Sequence, residues 1–265
     1  MARAIGMNPA NTPEAVLSKI PGWRGASNRK LAGGQTNQTY LVEQNGRRAV
    51  LKIDSTPRTT PYNSRAAEAR IQSAAAEHHL AGRVLFTDST VYLAEYLEGR
   101  IWTRADLDDE NNLIDLANAL HRLHALPLTG RTFDAMGAAH EYMETIDNAG
   151  TPKVRRCLDI IESMPAPQHP CCCHNDLVAE NIVATPDLRF IDWEYACDND
   201  PFFDLATVIA HHELPARQVS VLMGAYFDGC GVQWREQLER HTNLYNALTY
   251  LWLAARKRGR SEDSP

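Results

Sequence analysis

The stretch His174-Asn-Asp-Leu-Val-Ala-Glu-Asn181, followed after a short gap by Phe190-Ile-Asp-Trp-Glu-Tyr195, decides how the rest of the chain is read. Between the two runs lie the strand-prone triplet Ile182-Val-Ala184 and a turn at Pro186-Asp187. A hairpin there would carry Asp192 back beside Asp176 and Asn181. One carboxylate and an amide oxygen gathered in this way suit a hard divalent cation, which takes oxygen ligands. One carboxylate is then left to orient a hydroxyl and accept its proton, the two tasks a phosphoryl transfer sets for side chains.

Outward toward the N terminus, 31–42 (Leu-Ala-Gly-Gly-Gln-Thr-Asn-Gln-Thr-Tyr-Leu-Val) is a glycine-bearing turn running into a strand-prone segment. Asn45-Gly46 is a hairpin signal, and Ala49-Val-Leu-Lys-Ile53 is the returning strand. A helical pattern from Pro13 to Ile20 ends at the breaker Pro21-Gly22. Residues 64–79, rich in Ala, Glu and Arg, favour a helix by propensity, and Val84-Leu-Phe86 and 91–96 read as strands. Beyond this, Leu113, Leu116, Leu120 and Leu123 recur at helical spacing, and helical patterns return at 135–148, 152–163, 203–212, 216–228 and 232–258. The expectation is an α+β chain: a small antiparallel sheet with one helix over 1–98 and a larger, mainly helical domain over 99–265. Glu98-Gly99-Arg100 would supply a flexible joint, and the cleft between the domains is the default place for a site.

The 265 residues are 44% hydrophobic and 23% charged, an ordinary globular composition. Acidic residues outnumber basic ones, 33 to 27, for a net charge of −6, which argues against nucleic acid as a partner. No apolar run approaches the ~18 residues of a membrane span. The N-terminal segment has no continuous apolar core of the secretory kind, so a cytoplasmic location is expected. The six cysteines, at 157, 171, 172, 173, 197 and 230, show no Cys-x-x-Cys spacing. Adjacent side chains diverge on a strand, so Cys171, Cys172 and Cys173 are expected as reduced core thiols that do not converge on one ion. His121 and His124 are expected as packed or surface histidines.

The pattern His-x-Asp-x-x-x-x-Asn followed by Ile-Asp resembles the catalytic and metal-binding loops of the aminoglycoside phosphotransferase and choline kinase superfamily, relatives of protein kinases. Asn175, within His174-Asn175-Asp176, and the run Ile191-Asp-Trp-Glu-Tyr-Ala196 resemble the choline/ethanolamine kinase branch in particular. Gly33-Gly-Gln-Thr-Asn37 followed by Tyr40 is similar to its nucleotide loop, Val50-Leu-Lys-Ile53 to its phosphate-binding strand, and Leu93-Ala-Glu-Tyr-Leu-Glu-Gly99 to its hinge. Leu120-His-Arg-Leu-His-Ala125 is similar to the first large helix of the back lobe. The resemblance covers roughly residues 30–212 and implies a protein-kinase-like fold with ATP and Mg²⁺ as cofactors. It makes Asp176 the base, Asn181 and Asp192 the metal ligands, and Lys52 the partner of the α/β-phosphates. Glu68 would hold Lys52, with Glu77 as a rival on the same helix. Gly33, Gly34, Thr36 and Asn37 would line the nucleotide loop, and Glu95 and Leu97 the hinge. His174 and Asp204 would support the catalytic loop, Asp204 by receiving backbone N–H groups; as a helix N-terminal acid it is also favoured by the dipole.

An acceptor cation would be held by aromatic faces and carboxylates. Glu194 and Tyr195 directly follow Asp192. Tyr245, Tyr250 and Trp252 recur with leucines in the last helical segment, where choline kinases have an aromatic wall. Glu194, Tyr195 and Trp252 are therefore expected at a small cationic alcohol: choline first, then thiamine or ethanolamine, and an aminoglycoside or sugar after those. The chain has no Gly-x-Gly-x-x-Gly, no Phe-Gly after Asp192 and no Ala-Pro-Glu, so a protein acceptor is not expected. A catalytically inactive binding module of the same fold is a reading of a different class, and the presence of Lys52, Asp176, Asn181 and Asp192 together speaks against it.

Overall fold

Alternation builds the first sheet. Val42, Ala49 and Leu51 are wholly buried, whereas Glu43 and Arg48, on the other face, are exposed, the two-residue period of strands with one face on a core. The computed structural model describes residues 12–31, 38–60, 63–229 and 234–261. A short helix α1 (Pro13–Leu17), capped by the Thr12 hydroxyl, precedes β1 (Ser27–Lys30), β2 (Gln38–Gln44) and β3 (Arg47–Ile53). The β2–β3 turn places Asn45 and Gly46 at φ 52° and 72°, the left-handed pair that a two-residue hairpin needs. A two-residue ribbon, β4 (Thr59–Thr60) and β5 (Asn63–Ser64), leads into α2 (Arg65–Glu77), whose first turn is capped by the Ser64 hydroxyl. Strands β6 (Val84–Thr87) and β7 (Val91–Glu95) complete an antiparallel sheet ordered β1-β2-β3-β7-β6. One face of it packs on Val16, Leu17, Ile20 and Trp23, while Ala69 of α2 packs with Tyr92 and Ala94 of β7.

After the two-residue strand β8 (Arg100–Ile101) come α3 (Glu110–His124), α4 (Ala135–Met143) and α5 (Pro152–Glu162). The four leucines at 113, 116, 120 and 123 are all fully buried, as the helical spacing of α3 requires. Strand β9 (Cys171–Cys173), the hairpin β10 (Ile182–Ala184) and β11 (Leu188–Phe190), and β12 (Cys197–Asn199) follow. β9 pairs antiparallel with β12, Cys173 opposite Cys197. Helices α6 (Pro201–His211), α7 (Ala216–Tyr226) and α8 (Trp234–Ser261) end the chain; α8 packs on α4, α5 and α6, and α3 on α7. Among the described residues no helix is long and apolar enough to cross a membrane.

These elements group into two units, Met1–Arg100 with Val183–Tyr195, and Ile101–Ile182 with Ala196–Pro265. The expected division at 98 into two continuous stretches does not include this return of 183–195 to the front unit. Its anchors are hydrophobic and polar at once. The Phe190 N–H donates to the Leu80 carbonyl at 2.7 Å, and the wholly buried Trp193 donates its indole N–H to the Phe190 carbonyl at 3.0 Å. The Ser27–Lys30 strand lies outside the sequence expectation, because an exposed polar edge carries no alternation.

Gly99, expected as a flexible joint, has a different role: a Cβ there would overlap the Ala184 carbonyl oxygen and lie 2.8 Å from the Val183 Cγ1. The glycine is a close-approach position. Gly99→Ala is expected to destabilise the protein by about 1–3 kcal/mol, the usual cost of overpacking, and to lower the urea midpoint without changing the slope.

Candidate active site

In the front unit, the strand period turns Lys52 away from the face that holds Leu51 and Ile53. Its Nζ lies 2.7 Å from Asp192 Oδ1 and 3.3 Å from Glu68 Oε1. Glu68 is on the buried first turn of α2, whereas the rival Glu77 is the exposed last residue of that helix. Arg65, wholly buried on the same turn, forks onto Asp54 at 2.6 and 2.8 Å and also pairs with Glu68. Arg58 joins Asp54 at 2.9 Å and also pairs with Glu194. Among the described residues, these ion pairs set three cations against four carboxylates, and burial makes each pairing matter. Burial pulls the Lys52 ammonium down, but the charges of Asp192, Glu68 and Glu194 outweigh it and hold the group above its ordinary range. The Glu194 carboxyl is raised by burial and by Asp192. Asp192 itself sits at φ 65°, a strained backbone for a residue with a Cβ, of the kind that collects at functional loops.

The back unit builds the other group of residues. Asp204, in the first turn of α6 and wholly buried, accepts the His174 N–H at 2.8 Å and the Asn175 N–H at 2.7 Å. His124 Nε2 lies 3.2 Å from the same carboxylate. His174 thus ties the loop to Asp204 through its backbone N–H. Asn175 takes φ 62°, and its side chain ties the adjoining strands together, receiving the Asn199 amide at 2.7 Å and reaching Cys197 Sγ at 3.1 Å. Six residues on, the Asn181 Nδ2 donates to the Asp176 carbonyl at 2.8 Å and to its Oδ2 at 3.1 Å. With its nitrogen so engaged, Asn181 has its amide oxygen as the atom that could face a hard cation, and the bond to Oδ2 orients the Asp176 carboxylate. The 3₁₀ turn ending at Asn181 is pinned by His212 Nε2, which accepts the Ala179 N–H at 2.9 Å. Burial and the neighbouring His211 depress the His212 imidazole to about 4, which keeps that nitrogen an acceptor.

Tyr142 of α4 and Tyr245 of α8 belong with Asp176. Burial raises both phenols, and the Asp176 charge adds to the rise in each. The Tyr245 hydroxyl is also 2.8 Å from His211 Nδ1. Tyr142 escaped the sequence reading because a lone aromatic on a helix carries no positional signal. Trp252, on α8, carries the Arg256 guanidinium 4.5 Å above its ring. In the front unit Tyr195 is exposed, whereas Glu194, expected at the acceptor, is committed to Arg58. Glu95 ends β7 with its carboxylate 3.3 Å from Arg83, and Leu97 follows it, partly buried. Gly33, Gly34, Thr36 and Asn37 lie outside the described residues. Thus Lys52, Glu68, Asp192 and Glu194 come together in one unit, and His174, Asp176, Asn181 and Asp204 in the other. His121, expected as a packed or surface residue, stacks on Tyr226 at 4.4 Å.

The chain matches the phosphotransferase enzyme family over residues 27–239. Protein LicA of Haemophilus influenzae is 29% identical over 240 residues, covering 83% of this chain and 70% of that protein. The thiamine kinase of Salmonella typhi is 29% identical over 224 residues, covering 82% and 78%. Among solved structures, a choline/ethanolamine kinase family protein from Mesorhizobium loti superposes with a TM-score of 0.72 at 23% identity, over 95% of this chain and 87% of the other. The choline kinase LicA from Streptococcus pneumoniae gives 0.73 at 23% identity, over 90% and 88%. The fold is therefore the protein-kinase-like α+β architecture that the motifs imply.

Two predictions follow from the charge network and the pinned turn. Arg65→Met leaves Asp54 and Glu68 buried with one cation fewer, and should cost about 3–5 kcal/mol in urea unfolding. His212 has an ordinary value of 6.5 and titrates at about 4 in the folded chain, so the unfolded state binds more protons between those values. Its contribution to stability is complete above about pH 6.5 and is lost as the pH falls toward 4. Melting temperatures of His212→Gln should accordingly fall less steeply than those of the parent across that window.

Proposed function

The chain belongs to the phosphotransferase enzyme family, and we propose that it transfers the γ-phosphoryl group of ATP to the hydroxyl of a small cationic alcohol, choline first. The observation that carries this reading is the Lys52 ammonium held between Glu68 and Asp192, together with the Asp176 carboxylate oriented by Asn181. These are the two arrangements phosphoryl transfer asks of a protein: a fixed cation for the nucleotide phosphates and a fixed base for the attacking hydroxyl.

In this reading Asp176 receives the acceptor hydroxyl and takes its proton. Lys52 remains charged at neutral pH and offsets the α/β-phosphates, while Glu68, itself braced by Arg65, keeps it in place. Asn181 and Asp192 supply oxygen donors for Mg²⁺, which when bound neutralises phosphate charge. The negative charge around Asp192 suits such an ion. Gly33, Gly34, Thr36 and Asn37 hold the phosphates, and Glu95 and Leu97 the base. Asp204 and the His174–Asn175 backbone act as positioning groups, because their hydrogen bonds set where Asp176 begins.

Aromatic faces support a cationic acceptor. Trp252 already carries a guanidinium on its ring, and the ring face that attracts it would equally attract a quaternary ammonium. Tyr142 and Tyr245 lie within reach of the Asp176 charge, and in the front unit Tyr195 offers an exposed ring. The likeness to LicA proteins supports choline; the thiamine kinase relatives support thiamine as the second reading, since it too joins a fixed positive charge to a hydroxyethyl arm. Ethanolamine and then an aminoglycoside or sugar come after these.

Purified protein with Mg-ATP is expected to release ADP when choline is supplied, with thiamine, ethanolamine, an aminoglycoside and an amino sugar tested beside it. Asp176→Asn should lower turnover by about 10²-fold or more while nucleotide affinity stays near that of the parent. No ADP release with any acceptor would favour an inactive binding module, and undiminished turnover in Asp176→Asn would remove that residue from the role of base.

A further inference from the structure

We propose that His124, Cys171 and Cys173 form a binding site for one thiophilic divalent cation of the Zn²⁺ or Cd²⁺ type, separate from the Mg²⁺ donors. Neighbouring residues on a strand diverge, but alternate residues share a face. Cys171 and Cys173 are the alternate pair of β9, and their Sγ atoms stand 3.6 Å apart. Two thiolates bound tetrahedrally at about 2.3 Å each put their sulfurs roughly 3.8 Å apart, so the pair is already at ligand spacing. The ligand atoms of His124, Cys171 and Cys173 all lie within 4.8 Å of one another.

The histidine is set up from behind. Its Nε2 is 3.2 Å from the buried carboxylate of Asp204, and its Nδ1 is 2.7 Å from the Tyr226 hydroxyl. Metal-ligating histidines commonly donate their second ring N–H to a carboxylate, which settles tautomer and ring orientation. An Nε2–H held by Asp204 leaves Nδ1 as the ligating atom, with the Tyr226 hydroxyl giving way to the cation. The thiols and that hydroxyl are neighbours: the charges of Cys171 and Cys173 both bear on the Tyr226 phenol. Soft sulfur ligands select Zn²⁺ or Cd²⁺ over Mg²⁺. Coordination passes the two thiol protons to solvent, and the two thiolates offset the divalent charge. Cys171 is partly exposed and gives the ion access, while Cys173 is buried. The ion would share Asp204 with the His174 and Asn175 backbone, two hydrogen bonds from the loop that carries Asp176.

The test is a titration of metal-free, full-length protein with Cd²⁺ in excess Mg²⁺, following the ultraviolet thiolate-to-cadmium charge-transfer band. The band is expected to rise to one equivalent and saturate, and Zn²⁺ should displace it. Cys171→Ser should bind at least tenfold more weakly and lose most of the band, whereas Cys157→Ser should titrate like the parent. Cys171→Ala removes the same ligand should the serine variant fail to fold. Absence of saturable uptake by the parent at micromolar Cd²⁺, or an unchanged titration in both Cys171 variants, would overturn the site.

Discussion

A single buried carboxylate, Asp204, accepts two consecutive backbone N–H groups, those of His174 and Asn175, and faces His124 as well. Buried N–H groups must find acceptors, and a carboxylate has the lone pairs to take several at once. Meeting both donors bends the chain at Asn175 into a left-handed backbone, and that bend starts the loop on which Asp176 and Asn181 sit. The first turn of α6 is a good place for the charge, since the helix dipole favours an acid there. The loop geometry therefore rests on an interaction made by the backbone just ahead of Asp176.

The front unit solves a related problem with ions. Lys52 is drawn into a buried setting that by itself would favour loss of its proton, and three carboxylates reverse that tendency. Glu68 can serve as one of them because Arg65 holds it from the other side, and Arg65 is in turn divided with Asp54. Such a network is specific before it is stabilising, since buried pairs gain little over apolar packing yet cost much when one member is removed. The return of the β10–β11 hairpin to this unit brings Asp192 to Lys52, and the buried Trp193 anchors it.

Much of this was legible in one dimension. Asn45-Gly46 marked its hairpin because both residues tolerate positive φ, and the leucines of α3 marked their helix because 3.6-residue spacing puts them on one face. The ordered motifs also pointed to Lys52, Glu68 and Asp192, which the fold brings together, and to Asp176 and Asn181, which it pairs. Other features were not legible. Arg65 and Asp54 look like ordinary surface residues, and only packing shows the pair to be buried. Glu194 read as an acceptor contact, and only the fold shows that Arg58 stands beside it. The three cysteines read as divergent because neighbours on a strand diverge, and the alternate pair becomes visible only with β9 in place and α3 beside it.

The amino-acid sequence by itself determined which residue types are present, in which order, and which local elements they favour, because propensity, periodicity and turn chemistry act over a few residues. The tertiary structure alone decided which charges neutralise one another and which face each helix gives to its neighbours. Those pairings join positions far apart in the chain, as Lys52 joins Asp192 and His174 joins Asp204, and electrostatics and burial act through space without regard to the separation along the backbone.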